Sequence, residues 1–190
     1  RFPSLRFVGI GGPKMIGSGL ESWHEQERLA VRGLVEVVKH IPELMRIRSD
    51  LVKRLVGARP RVVIGIDSPD FTLGVERRLK RRGIPTVHCV SPTIWAWRRG
   101  RIRGIRRAVS HMLTLFPFEV PIYRDAGVAV TCIGHPVADA LTAGPTQFEV
   151  RDQLRIKANE RVLAILPGSR QSEIEMMGPT FIETAKQLHA

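Results

Sequence analysis

The sequence predicts an α/β fold built on a parallel sheet, and three observations carry that expectation. Six short apolar runs recur along the chain, at 5–10, 62–66, 86–90, 112–116, 128–133 and 162–166. Polar or amphipathic stretches of helical length separate most of them. Several runs end in Gly, Pro or Ser, as in Gly9-Ile10-Gly11-Gly12-Pro13, Ser91-Pro92, Phe116-Pro117 and Gly134-His135-Pro136. Alternating strands and helices build a parallel sheet with helices on both faces. Small or rigid residues at strand ends mark loops where backbone approaches a ligand closely.

The elements between the strands follow from periodicity. Leu34, Val37, Val38, Ile41, Leu44 and Met45 recur at three- and four-residue steps, and Leu51, Val52, Leu55 and Val56 continue the stripe. Pro42 suits a first helical turn and not an interior, so two helices are expected here. Gly57 and Pro60 close the second. Ala143-Gly144-Pro145-Thr146 reads as a linker, giving one domain at 1–145 and the start of another at 146–190. Within the second, 148–157 and 171–189 read as helices and 162–166 as a strand, forming a first βα unit.

Length and composition bound the class. A chain of 190 residues fits one domain, or one and part of another. An apolar fraction of 43% is that of a globular protein and argues against disorder. The chain opens on Arg1-Phe2-Pro3-Ser4 with no Met and ends in Gln187-Leu188-His189-Ala190 inside a helical pattern, so a piece of a longer protein is expected. The net charge of +12, from 30 basic and 18 acidic residues, favours anionic partners: nucleic acid, an acidic membrane or phosphorylated ligands. Cys89 and Cys132 each sit in an apolar run without metal-finger spacing, so buried reduced thiols are expected and a zinc site is not. No apolar run reaches membrane-spanning length, and no secretory leader is expected.

Chemistry concentrates at the strand ends. Val62-Val63-Ile64-Gly65-Ile66-Asp67-Ser68-Pro69-Asp70-Phe71 delivers two carboxylates to the carboxyl edge of the sheet, where open α/β sheets bind ligands. Asp67 and Asp70 are therefore candidate general bases. Leu166-Pro167-Gly168-Ser169-Arg170 fits an anion-binding turn at a helix N-terminus, with Arg170 as a clamp on phosphate. It equally fits an ordinary βα turn. Glu173 fits a first-turn acid favoured by the helix dipole. Trp95 and Trp97 could wall a sugar or acyl chain, although burial on a helix face is the commoner use of tryptophan. His135 at the end of a strand is a candidate substrate ligand, with Asp139 one turn on to orient it; packing or capping is the commoner role of a loop histidine.

The basic runs admit the same two readings. Arg98, Arg99, Arg101, Arg103, Arg106 and Arg107 read as a solvated face or as a phosphate or headgroup contact. Arg77, Arg78, Lys80, Arg81 and Arg82 read as solvent-facing. The stripe at 34–48 reads as core, or, with Lys39, Arg46 and Arg48 at its edges, as an interfacial helix on anionic lipid.

Taken together, these motifs resemble one family. Phe7-Val8-Gly9-Ile10-Gly11-Gly12-Pro13-Lys14-Met15, Gly65-Ile66-Asp67-Ser68-Pro69-Asp70-Phe71, Ser91-Pro92-Thr93-Ile94-Trp95-Ala96-Trp97-Arg98, Phe116-Pro117-Phe118-Glu119, Gly134-His135-Pro136 and Leu166-Pro167-Gly168-Ser169-Arg170 occur in the order and spacing of bacterial lipid-A-disaccharide synthases. The resemblance runs from about residue 5 to the end and matches the N-terminal half of that family. It implies a Rossmann-like sheet of a GT-B glycosyltransferase, with the N-terminal domain and the first βα unit of the C-terminal one. It implies an inverting transfer from UDP-2,3-diacylglucosamine to 2,3-diacylglucosamine 1-phosphate (lipid X), giving a β-1,6 disaccharide and UDP. Asp67 then matches the family's essential aspartate and Arg170 its essential arginine.

Asp70, Ser91, Trp95, Trp97, His135, Gly168 and Ser169 are expected at the substrate. No metal or cofactor is expected, since arginine and helix dipoles do that work in the family. Val35, Val37, Val38, Ile41, Leu44 and Met45 match its membrane-associating patch, which implies a peripheral position on the cytoplasmic face of the inner membrane and contact with anionic lipid there. A homodimer is possible in the intact protein. The family's opening strand, its glycine-rich loop and most of its nucleotide-binding domain have no counterpart here, so an incomplete donor site and no activity of the piece alone are expected. The competing readings are another GT-B enzyme, such as a UDP-sugar epimerase or soluble sugar transferase, and a basic nucleic-acid-binding module with steep salt dependence. The family reading includes no nucleic acid.

Overall fold

The β-branched runs form strands, and proline starts the α-helices that follow three of them. In the computed structural model, residues 5–29, 34–95, 99–169 and 171–189 are described, with side chains for all of these except 27, 28, 34–40, 99 and 189. The first compact unit, Arg1–Asp139, carries β1 (Phe7–Ile10), α1 (Pro13–Gly17), β2 (Leu20–His24), α2 (Leu34–Ala58), β3 (Val63–Ile66), α3 (Pro69–Lys80), β4 (Thr86–Cys89), α4 (Ile102–Ala108), β5 (His111–Thr114), α5 (Val120–Asp125), β6 (Ala129–Cys132) and most of α6 (Pro136–Thr142). Pro13 and Pro69 open α1 and α3, where the missing N–H is no loss. Arg77, Arg78 and Lys80 close α3 and complement its dipole. Lys80 also donates to the carbonyls of Arg106 and Val109 at the end of α4. Burial pushes its ammonium pKa down.

The main sheet is parallel with order β3-β4-β5-β6, and β1 and β2 form a separate parallel pair. In register, Ile66 lies beside Cys89, Cys89 beside Leu113, and Thr114 beside Cys132. Pleating sends Gly65, Thr86, His88, Met112 and Thr114 to the buried face. Ile64, Ile66, Ala129 and Thr131 point to the other face and are exposed. Here the expectation of helices on both faces is corrected. Right-handed crossovers in a strand order that never reverses put the connecting helices α3, α4 and α5 on one side of this sheet. One core joins Ile47, Leu51, Val52 and Leu55 of α2 to Phe71, Val75 and Leu79 of α3. A second joins Ile94, Ile105, Ala108, Val109, Met112, Tyr123 and Val128.

Other expectations need correction. Pro42 lies inside α2, which runs unbroken as one helix. The proline removes one backbone bond, and the buried stripe beyond it still holds the helix to α3. β2 was not anticipated, because Leu20-Glu21-Ser22-Trp23-His24 is too polar for an apolar-run criterion; pairing with β1 makes it a strand. Cys89 and Cys132 are free thiols, but half-buried rather than buried. Burial still pushes the Cys89 thiol pKa up.

The second unit, Ala140–Ala190, holds α7 (Gln147–Gln153) and α8 (Gln171–His189). A capping box starts α7: Glu149 N–H donates to Thr146 Oγ1 at 3.3 Å, and Thr146 N–H donates to Glu149 Oε2 at 2.6 Å. The Thr146 hydroxyl, which donates to Glu149 Oε2 at 2.7 Å, and then the Thr146 N–H hold the Glu149 carboxyl below its ordinary pKa. The strand expected at 162–166 is absent, and its residues are exposed and irregular. An apolar run becomes a strand only with a ladder partner, and none exists among the described residues.

Candidate active site at the carboxyl edge

Asp67 follows β3 and begins a strained turn. Its φ is +52° and that of Ser68 is +47°. Left-handed backbone is disfavoured for both side chains, so the surroundings must hold it. They do so from both sides: Asp67 N–H donates to Cys89 O at 2.9 Å, and the Thr72 hydroxyl donates to Asp67 O at 2.8 Å. Val90, next to this turn at the end of β4, is also left-handed with φ +75°. For a β-branched residue this is a real outlier. Its N–H donates to Leu113 O at 3.1 Å. Strain therefore gathers where two neighbouring strands, β3 and β4, end.

The two carboxylates of the turn differ. Asp67 is exposed, and its carboxylate takes no partner among the described residues. Asp70 opens α3 and pairs with Arg101 from the basic run. Arg48 of α2 donates to Asp70 O at 2.8 Å and lies over the Phe71 ring, 5.3 Å from its centroid. Burial and the nearby Arg78 push the Arg48 pKa down. A general base needs a carboxylate free to accept, so Asp67 suits that role better than Asp70.

Ser91 is buried and shares a 2.7 Å hydrogen bond with the Tyr123 hydroxyl. Burial pushes the Tyr123 pKa up to about 12, against a smaller opposite effect of the Ser91 bond. Trp95 is 44% exposed, against the expectation that core packing is the commoner use. The Phe116 and Phe118 side chains are exposed beside it, while Phe116 N–H donates to Glu119 Oε2 at 3.2 Å. His135 Nδ1 accepts the Val137 N–H at 3.2 Å, and its ring lies 5.9 Å from that of Phe116. In the sequence Phe116 and Phe118 stand out only as part of the Phe116-Pro117-Phe118-Glu119 motif. Their recurrence just past a strand was the available signal.

Beneath the edge, Glu76 of α3 and His88 of β4 meet at 2.9 Å, both fully buried. Gly65 makes room for them, since a Cβ there would stand 2.0 Å from Glu76 Oε1. No group of three or more potential metal ligands occurs among the described residues.

In the second unit, Gly168 has φ +123°, and a Cβ on it would meet Glu173 Oε2 at 2.5 Å. Ser169 N–H donates to that same oxygen at 3.0 Å. Glu173 thus does more than complement the dipole. Arg170 and Trp97 lie outside the described residues, as do the side chains of Val35, Val37 and Val38. Ile41 and Met45 are 47% and 50% exposed on α2, and Leu44 is half-buried.

Comparison with known proteins decides among the readings. The family model described as lipid-A-disaccharide synthetase matches residues 1–190. The chain belongs to the lipid-A-disaccharide synthetase family. A lipid-A-disaccharide synthase of Methylobacillus flagellatus is 55% identical over 97% of this chain and 49% of its own length. That of Chromobacterium violaceum is 52% identical over 97% of this chain and 48% of its own. One from Pseudomonas aeruginosa is 48% identical over 99% and 50%. The chain spans about half the length of these relatives. An α/β chain with parallel sheets agrees with a Rossmann-like GT-B fragment of this synthetase family. Among the described residues no helix is long and apolar enough to cross a membrane.

Proposed function

We propose that this chain forms the acceptor side of an inverting glycosyltransferase. In this reading the 6-hydroxyl oxygen of lipid X attacks the anomeric carbon of UDP-2,3-diacylglucosamine. The bond from that carbon to the diphosphate oxygen breaks, and its electron pair leaves with UDP. The hydroxyl proton passes to Asp67. Arg170 stabilises the charge that builds on the departing diphosphate. Asp70, anchored by Arg101, orients the acceptor, and the Gly168-Ser169 turn lies beside the donor phosphates.

The observation that carries this reading is the exposed, unpartnered Asp67 carboxylate on a strained, doubly held turn, in a chain of this family. The test is UDP release by a full-length enzyme containing this sequence, with UDP-diacylglucosamine and lipid X. Acceptor-dependent release should vanish with Asp67→Asn. Near-normal release would sink the assignment.

The exposed Ile41 and Met45, in line with Leu44, Val35, Val37 and Val38, support a peripheral attachment of α2 to anionic lipid of the inner membrane. Serines at Val37, Val38 and Leu44 should cut liposome binding and leave the circular dichroism unchanged. Unaltered binding would refute the attachment.

A further inference from the structure

Four rings meet along the carboxyl edge without entering a core. Trp95 stands edge-on to Phe118 with centroids 5.3 Å apart, and Phe118 stacks on Phe116 at 5.5 Å. Phe116 in turn lies 5.9 Å from His135. Phe116 is 44% exposed and Phe118 53%. Large aromatic side chains normally bury most of their area. These come from the loops after β4, β5 and β6, so the array is assembled by the sheet and not by one helix face.

Its position constrains its occupant. Adjacent strands lie roughly 5 Å apart, so the Phe116 loop sits about 10 Å from the strand that delivers Asp67. A ligand that offers a hydroxyl to Asp67 and also covers these rings must reach at least about 10 Å, as an acylated sugar does. A hexose stacks on one flat face close to its reacting hydroxyl. The edge-on and stacked pairs instead make an extended apolar ledge, shaped for a chain.

We propose that the ledge of Trp95, Phe118 and Phe116, closed by His135, holds an acyl chain of the acceptor and sets the preferred chain length. The proposal rests on the transferase reading above. The sequence offered Trp95 as a wall for a sugar or acyl chain; the structure adds Phe118, Phe116 and His135 to it.

The test uses a full-length enzyme containing this sequence and acceptors with one headgroup and acyl chains from short to long. Phe118→Ala should lower the long-to-short ratio of kcat/KM about tenfold, the worth of roughly two buried methylenes. The change should lie in KM. Phe118→Leu, which keeps an apolar contact, should restore most of the ratio. Phe116→Ala provides a second site with the same expectation. An equal loss at every chain length would overturn the proposal and make the ledge a sugar platform. An unchanged ratio in both alanine variants would overturn it as well. Asp67→Asn, assayed in parallel, separates the two readings: surviving turnover there defeats the transferase mechanism whatever the ledge variants do.

Discussion

The buried face of the sheet and its carboxyl edge are made from the same strands, yet they satisfy their groups in opposite ways. Below, Glu76 is paired with His88, and the Thr86 hydroxyl donates to Ala108 O at 2.8 Å. Ser91 and Tyr123 share their hydroxyl bond at the boundary. At the edge, among the described residues, Asp67 stands unpartnered, Asp67, Ser68 and Val90 are left-handed, and Trp95, Phe116 and Phe118 face solvent. Stability is gained where polar groups find partners on folding, and binding is possible where they have not. The edge carries its strain above a layer whose polar groups are mostly paired, with His88 Nε2 and Thr114 Oγ1 left without a partner among the described residues.

The sharpest way to break this comparison is at Asp67. Asp67→Asn should lower turnover by about 10²–10⁴-fold while leaving the unfolding midpoint in place. A loss of stability without a loss of rate would reverse the two regions' roles. The next effect lies below the edge. Gly65→Ala puts a Cβ 2.0 Å from Glu76 Oε1 and 3.2 Å from Thr72 Cβ. It should cost about 2–4 kcal/mol in denaturant unfolding, by overpacking and by parting Glu76 from His88. A neutral result would show that the pair does not lock α3 to the sheet.

Tyr123 tests the boundary by pH. It is the chain's single tyrosine, so phenolate absorbance reports it alone. Its folded pKa of about 12 lies above the unfolded value of about 10. The stabilisation is complete below about pH 10 and is lost as pH rises towards 12. Ser91→Ala should move the phenolate midpoint higher still, because the Ser91 bond favours the anion. A midpoint near 10 would place Tyr123 in solvent. The smallest effect belongs to the edge ion pair. Asp70 is 84% exposed, so Asp70→Asn should cost less than about 1 kcal/mol. A larger cost would mean that Arg101 holds the Asp67 turn in place.

The alternation of apolar runs and helical stretches determined the fold class, since burial on a sheet or a helix stripe is a local property of pattern. Runs at 5–10, 62–66, 86–90, 112–116 and 128–133 became β1, β3, β4, β5 and β6. The same logic placed Asp67 and Asp70 at the carboxyl edge of the sheet, because the strand ends just before them in a Ser-Pro turn. What the sequence did not contain was partnership. The run at 162–166 is as apolar as the others and stays irregular, and polar Leu20–His24 is a strand, because a ladder needs a second strand at the right distance. Pro42 sits in a continuous helix because the stripe beyond it packs on α3. Which carboxylate is free, which hydroxyl is buried and which rings meet depend on residues far apart in the chain. Only the tertiary structure sets those distances: Arg101 reaches Asp70, Tyr123 reaches Ser91, and three separate loops bring Trp95, Phe116, Phe118 and His135 into one ledge.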